Sequence, residues 1–267
     1  SRLAMIGLVL LSFLLIVAIS APLIADYDDA INQNMKIRLQ PPSKDHIFGT
    51  DHYGRDIFAR IIFGARVSLF AGLASILTSS LIGAIIGSVA GYFGGVLDNI
   101  LMRIMDVLMA LPSMLLAISI VAALGPGLTN LLIAISISYI AQFARIIRSS
   151  VLSIKNQEFI EAAVACGTRD SRIILKHVIP NAIGPLIVQS TLSIATAIIL
   201  ISSLSFLGLG IKPPMPEWGS MLADARSQMR NYPYLVIMPG AAIIISVMAL
   251  NLIGDGLRDA LDPRLKD

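Results

Sequence analysis

The chain alternates between long stretches without any charged side chain and shorter, strongly polar connections. Five stretches contain no Asp, Glu, Lys or Arg, and together they cover 150 of the 267 residues. They comprise residues 3–25, 67–97, 107–144, 178–211 and 231–254. Each is at least as long as the roughly 20 apolar residues that an α-helix needs to cross a hydrocarbon layer about 30 Å thick. The pattern therefore predicts several membrane-spanning helices.

The third stretch is nearly twice as long as one span, which raises the predicted number of helices to six. Gly125, Pro126 and Gly127 lie within it, and such a sequence is costly inside a helix. The predicted helices cover about residues 3–24, 67–92, 101–124, 128–148, 181–210 and 234–256. Backbone polar groups in a bilayer must be paired, and these runs are too long for barrel strands. The predicted fold is an all-α membrane protein with six transmembrane helices.

Composition narrows the class of protein by exclusion. Apolar residues make up 56% of the chain and charged residues only 14%, against roughly 25% charged in a soluble domain. The single Cys166 argues against a disulfide scaffold. The net charge of +3 is spread over separate loops, so no nucleic-acid partner is indicated. The first apolar run is too long for the core of a signal peptide, and we interpret it as a retained helix.

The polar connections divide the chain into three predicted parts. Residues 1–66 hold the first helix, a long extracytoplasmic loop and an interfacial helix; residues 67–257 hold a core of five helices that includes the loop 149–180; residues 258–267 form a cytoplasmic tail. The connection between the fourth and fifth helices carries six basic and three acidic residues, which places it in the cytoplasm. With six spans, both termini are then predicted to be cytoplasmic.

Two features within the predicted spans concern packing. The second helix carries a small residue at every fourth position, and we interpret this ridge as a helix-packing face in preference to the lining of a conduit. The ridge comprises Ala71, Ser75, Ser79, Gly83, Gly87 and Gly91. Pro112 in the third helix and Pro185 in the fifth each remove an amide donor, so both are predicted to kink their helices.

The connection QEFIEAAVACGTRDSRIILKHVIPN, residues 157–181, is unusual because its apolar residues recur at helical spacing. It predicts two short helices separated at Gly167, which can adopt the left-handed conformation that ends a helix. Pro180 is predicted to end the second where the fifth span begins. The apolar stripe of the first helix comprises Ile160, Ala163, Val164 and Gly167.

Several of these residues resemble a known family. Glu161-Ala162-Ala163, then Gly167 four positions later, then an apolar stretch ending at Pro180, resemble the EAA motif of type I ABC importer permeases. Other stretches resemble the second permease subunit of the dipeptide, oligopeptide and nickel branch. They are Phe48 to Asp51, Gly54 to Asp56, Ser205 to Gly210, Pro213 to Gly219 and Gly254 to Pro263.

This resemblance implies a division of labour between subunits. A homologous second permease subunit would complete the pathway, two ABC ATPase subunits would bind ATP and Mg²⁺, and an extracytoplasmic substrate-binding protein would deliver the substrate. The chain itself would bind no cofactor and no metal and would not be an enzyme, in agreement with the absence of a GxxxxGK[ST] loop from the sequence. Its place would be the bacterial cytoplasmic (inner) membrane.

The resemblance also assigns residues. ATPase coupling falls on the helix at 157–166 and its flanks: Phe159, Glu161, Ala162, Ala163, Cys166, Gly167, Thr168, Arg169 and Pro180. The candidates for the pathway or a gate are one proline, four neutral polar side chains and one aromatic side chain: Pro112, Gln142, Gln189, Ser202, Ser203 and Trp218. Trp218, in a proline-rich loop, is predicted to be a structural element, an interfacial anchor or part of an outer gate.

The predicted function is import of di- or oligopeptides by alternating access, with three alternatives. A nickel or glutathione importer of the same branch has the same motifs. A secondary transporter or channel would need ionisable groups at membrane depth, for which only Arg103 and Asp106 offer themselves. A nickel or zinc site at His46 and His52 is not indicated, because their spacing is not one that recurs among metal ligands. An intramembrane enzyme would need a motif such as HExxH, which the sequence lacks.

Overall fold

The computed structural model describes residues 2–261, and all regular elements within that range are helices. The long ones are α1 (Arg2–Ile19), α4 (Ile57–Phe93), α7 (Leu128–Ile154), α10 (Ile179–Phe206) and α12 (Tyr234–Leu261). The shorter ones are α2 (Ala21–Ile24), α3 (Tyr27–Ile31), α5 (Gly95–Met109), α6 (Ser113–Leu124), α8 (Glu158–Ala165), α9 (Asp170–Ile173) and α11 (Trp218–Ala225). Among the described residues five helices are long and apolar enough to cross a membrane, or six if α5 and α6 form one broken span.

Contacts between antiparallel helices define the two ends of the bundle. A Cβ added at Gly7 in α1 would lie 2.8 Å from the carbonyl oxygen of Ala249 in α12, and one added at Gly256 would lie 2.3 Å from Cβ of Ala4. The N-terminal end of α1 and the C-terminal end of α12 therefore lie together. The connection that carries α8 is at this same end, which we call the inner end; the connections before α4 and around α11 form the outer end.

The small-residue ridge of α4 is a packing face, as predicted. A Cβ added at Gly83 would lie 2.5 Å from Cβ of Phe143, and one at Gly87 would lie 2.3 Å from the carbonyl oxygen of Ala144. Ser79 Oγ also lies 2.9 Å from the carbonyl oxygen of Ser136. The ridge is thus covered by α7, which excludes a conduit along it, because only residues without bulk let the two backbones approach so closely.

The third span is broken, which differs from the single helix predicted over 101–124. α5 and α6 meet at 88° across a short break that ends in Pro112. The position of the predicted kink is confirmed, but its extent is far larger. Pro112 has no amide to donate and disfavours helical geometry in the residue before it, so the chain leaves the helix altogether.

Two ion pairs hold α5 across the inner half of α7. Arg148 Nε and Nη2 each lie 2.6 Å from an oxygen of Asp98, and Arg145 pairs with Asp106. Both arginines lie in α7, within the predicted helix 128–148. The two pairs of opposite charges tie α5 to α7.

Helix α4 begins at Ile57, ten residues before the predicted start of the second span, so residues 57–66, predicted as an interfacial helix, are the first turns of α4 and not a separate helix. Asp56 caps α4 by accepting a 2.8 Å hydrogen bond from the amide of Ala59. Ile57, Arg60 and Ile62 are buried. Other parts of the protein therefore cover the apolar side chains of the first turns of α4, and carboxylates neutralise the charge of Arg60.

The prediction that Pro180 ends a helix is wrong. A π-helical turn over Ile174–Val178 joins α9 to α10, so the helix continues from Asp170 to Phe206. A proline disturbs the regular hydrogen bonds of the preceding turn, and a wider turn at that point accommodates it. The second short helix of this connection, α9, is therefore continuous with the fifth span.

Candidate coupling site

Helix α8 rests on the inner end of the bundle through a small apolar contact. Ile160 is 3% exposed and packs in one cluster with Ile154, Ile173 and Val178, which come from α7 and the α9–α10 segment. Ala163 is partly buried against the same cluster. The predicted helix and two members of its predicted apolar stripe are thus confirmed.

The C-terminal end of α8 has the hydrogen bonds of a Schellman motif. The amide of Gly167 donates to the carbonyl of Val164 at 2.9 Å, and the amide of Thr168 donates to that of Ala163 at 3.1 Å. Gly167 has a φ of +73°, in the left-handed region that the sequence predicted. The turn directs the chain through Thr168 and Arg169, whose carbonyl accepts from Arg172 and Ile173, into α9.

The opposite face of α8 combines apolar and acidic side chains that point away from the bundle. Phe159 is 39% and Val164 55% exposed, and Glu158 and Glu161 are exposed beside them. Ala162, Ala165 and Cys166 add small exposed side chains to this face. Val164 was predicted to belong to the buried stripe and does not, because α8 sits on Ile160 and Ala163. An exposed surface of this kind suits a partner that offers an apolar pocket flanked by cations.

Sequence reasoning missed one contact and one exposed side chain in this region. Tyr92 Oη, at the end of α4, donates a 2.8 Å hydrogen bond to Oδ1 of Asp170, the first residue of α9. Leu175, in the π-helical turn, is 66% exposed. The residues are 78 positions apart in the first case, so no local pattern could have revealed the pair.

The predicted pathway residues lie in different surroundings and do not form one site. Gln189 lines an inner cleft of about 430 Å³ beside Pro185 and Arg258, and its amide donates to Ser193 Oγ at 3.2 Å. Gln142 is half-buried on α7. Ser203 is half-buried and donates to the carbonyl of Ile199 at 2.8 Å.

Ser202 and Trp218 are turned inwards, towards the contact between α10 and α11. A Cβ added at Gly219 would lie 2.5 Å from Cα of Ser202, so the two helices touch through their backbones. Trp218 is fully buried, and its Nε1 donates a 3.0 Å hydrogen bond to the carbonyl of Ile61. The structural interpretation of Trp218 fits this geometry, whereas an interfacial anchor does not, because the ring is packed inside the protein.

A buried carboxylate begins α11. Glu217 is fully buried and accepts hydrogen bonds from the amides of Gly219 and Ser220, at 2.8 and 2.7 Å, and from Ser68 Oγ at 3.4 Å. Burial raises the pKa of this carboxyl above its usual range, and the donated hydrogen bonds oppose that effect. Glu217 thereby ties the outer connection to α4.

The two motifs before α4 fold into a charged cluster at the outer end. Arg55 Nε lies 2.6 Å from Asp51, and its Nη2 lies 2.9 Å from Asp224 in α11. Arg60 is 3.7 Å from Asp51 and 3.8 Å from Asp224. His46 Nδ1 lies 2.8 Å from Asp56. Each buried arginine has a carboxylate partner, as a desolvated charge requires.

Comparison with known families agrees with this geometry. Residues 83–267 match the family described as the inner membrane component of binding-protein-dependent transport systems, and residues 1–42 match the N-terminal transmembrane domain of oligopeptide transport permease C. A chain of the MetNI methionine ABC transporter, from a structure of inward-facing conformations, has a TM-score of 0.62 at 18% identity, covering 76% of this chain and 96% of that one. This last likeness shows the fold alone.

Curated relatives match over almost the whole chain. The dipeptide transport system permease protein DppC of Alkalihalophilus pseudofirmus is 48% identical over 266 residues, which is 100% of this chain and 87% of that protein. The glutathione transport system permease protein GsiD of Escherichia coli is 46% identical over 99% of this chain and 88% of its own length. The chain therefore belongs to the family of membrane permeases of binding-protein-dependent ABC importers.

Proposed function

We propose that this chain is a permease subunit of an ATP-driven importer of di- and oligopeptides in the bacterial cytoplasmic membrane. The observation that carries the proposal is α8, an eight-residue helix at the inner end whose apolar and acidic face is exposed on the described part of the bundle. Such a face suits the groove of an ATPase subunit. Two ATPases would bind ATP and Mg²⁺, and the chain itself would hold neither.

The connections of α8 give it a mechanical role. Ile160 packs against residues of α7 and of the α9–α10 segment, and Tyr92 joins that segment to α4. A displacement of docked α8 would therefore move three long helices as a rigid unit, which is the kind of motion that alternating access requires. We assign docking to Phe159, Glu161, Ala162 and Cys166, and the turn that sets the angle of α8 to Gly167, Thr168 and Arg169.

Orientation follows from the same assignment. If α8 meets a cytoplasmic ATPase, both described chain ends are cytoplasmic, and the charged cluster with α11 faces the extracytoplasmic binding protein. A homologous permease subunit would cover the exposed sides of the bundle. We propose that the chain divides into an N-terminal part and a five-helix core. The boundary lies at Asp56, where α4 is capped, and not after residue 66.

The test is reconstitution in vesicles with the ATPase subunits and the binding protein. Uptake should require ATP and the loaded binding protein and should survive collapse of the ion gradients; uptake driven by an ion gradient without ATP would refute the proposal. Glutathione is the second candidate substrate, since a glutathione permease is 46% identical. Calorimetry of the binding protein with dipeptides, pentapeptides, glutathione and nickel separates the candidates.

A further inference from the structure

An apolar groove lies beside the contact between the outer half of α1 and α4. At its inner end α1 touches α12 closely at Gly7, and towards Ile19 a groove of about 410 Å³ opens along one side of the contact between α1 and α4. Leu15, Leu73 and Leu250 are among its lining residues. Its lining includes one charged side chain, that of Arg66.

Arg66 marks the boundary between the charged and the uncharged part of α4. It is the last charged residue before the uncharged run 67–97, and α1 ends nearby at Ile19. Leu73 is seven residues further along α4, which places it about 10 Å deeper at the rise of an α-helix. The groove thus runs inwards from a cation at the outer boundary into a purely apolar region.

The guanidinium of Arg66 is exposed and forms none of the ion pairs found among residues 2–261. Arg55 and Arg60, further out on the same side, are by contrast buried and paired. A second, more polar cleft of about 760 Å³ opens on the other side of Arg66, beside Asp26. The carboxylate of Asp26 accepts a 3.0 Å hydrogen bond from the amide of Asp28. Arg66 therefore stands between an apolar groove and a polar cleft with room for a headgroup.

We infer that this groove binds one acyl chain of an anionic phospholipid whose phosphate pairs with Arg66. A helix of a partner subunit is a poorer occupant, because an apolar helix would leave Arg66 without a counter-charge. A phospholipid supplies both an apolar chain and an anion at one fixed depth.

The test measures lipid retention and does not depend on transport. The full chain, purified from membranes in mild detergent, is incubated with equal amounts of phosphatidylglycerol and phosphatidylcholine of the same chain lengths and analysed by native mass spectrometry. We expect the unaltered chain to retain about fivefold more phosphatidylglycerol, the preference that one arginine at an anionic surface confers. Arg66→Gln should abolish the preference. Arg230→Gln, which removes another exposed outer arginine, should keep it.

Two further arms separate the lipid from other occupants. Leu73→Trp, and independently Leu15→Trp on the opposite wall, should fill the groove and lower retention of both lipids while Arg66 stays in place. Excess inorganic phosphate should not displace the lipid. Equal retention by Arg66→Gln and the unaltered chain, displacement by phosphate alone, or a crosslink from Leu73→Cys to another subunit would each overturn the inference. None of these outcomes bears on whether the chain imports peptides.

Discussion

The hydroxyl of Tyr92 donates a 2.8 Å hydrogen bond to Asp170 and so joins the last turn of α4 to the first residue of α9. The outer end of α4 is held by Asp56, Arg60 and Ser68 through the charged cluster and Glu217. One helix of 37 residues therefore connects the outer cap to the proposed coupling segment. Motion of α8 therefore has a direct route to the outer end of the bundle through this helix.

Tyr92→Phe should weaken coupling without preventing assembly. The substitution removes only the hydroxyl that holds Asp170, so α4 and the α9–α10 segment would move less strictly together. We expect about a two- to threefold fall in peptide uptake per ATP hydrolysed, of the size that the loss of one exposed hydrogen bond allows. Tyr232→Phe, in the outer connection, is the matched control and should leave the ratio unchanged. Equal ratios in both variants would contradict the proposed route.

Gly167→Val should uncouple the transporter, whereas Gly167→Asn should largely preserve it. A Cβ at this position meets no atom within 4 Å, so the effect comes from the backbone alone. A β-branched residue at a φ of +73° costs about 1–3 kcal/mol, and Asn tolerates that region better. The readout is ATPase stimulation by loaded binding protein, with membrane insertion measured alongside. Full stimulation of the Val variant with ATPases still bound would disprove the role of the turn.

Gly87→Ala should destabilise the bundle, while Gly240→Ala should not. The new Cβ at Gly87 would lie 2.3 Å from the carbonyl oxygen of Ala144, and overpacking of this kind costs about 1–3 kcal/mol. At Gly240 a Cβ meets nothing within 4 Å, and Ala in a helix is favoured over Gly by about 0.5–1 kcal/mol. Thermal unfolding in detergent should therefore shift in opposite directions. A shift of the same sign in both variants would argue against close packing of α4 on α7.

Glu217→Gln should stabilise the protein increasingly as pH rises. Burial raises the pKa of Glu217 in the folded state, so this carboxyl favours folding only while it is protonated. The stability that this carboxyl contributes to the folded state is complete below its unfolded-state pKa, near 4.3. It is lost as pH rises through the higher pKa of the folded state. The melting temperature of Glu217→Gln minus that of the unaltered chain should grow as pH rises above the unfolded-state value. Glu158→Gln, at an exposed position, is the control; a difference for Glu217→Gln that stays flat with pH would contradict the prediction.

The sequence by itself determined which parts of the chain are helical spans, where α8 lies, and that Gly167 ends it. These features depend on local properties: the cost of placing a charge in hydrocarbon, the period of a helix, and the freedom of a residue without Cβ. The packing face through Gly83 and Gly87 could be predicted for the same reason. Small residues at helical spacing indicate a close helix contact whichever helix is the partner.

Tertiary structure alone decided the rest. The sequence left Trp218 as a structural element, an interfacial anchor or part of a gate, and its burial depends on a distant partner, the carbonyl of Ile61. Arg60 is buried because Asp51 and Asp224 lie beside its guanidinium. Pro180 lies within a continuous helix because a π-helical turn absorbs its effect. The bend at Pro112, the bond from Tyr92 to Asp170 and the groove beside Arg66 all depend on which helices pack together. That choice is made by the shapes of whole helices, which no local pattern of residues encodes.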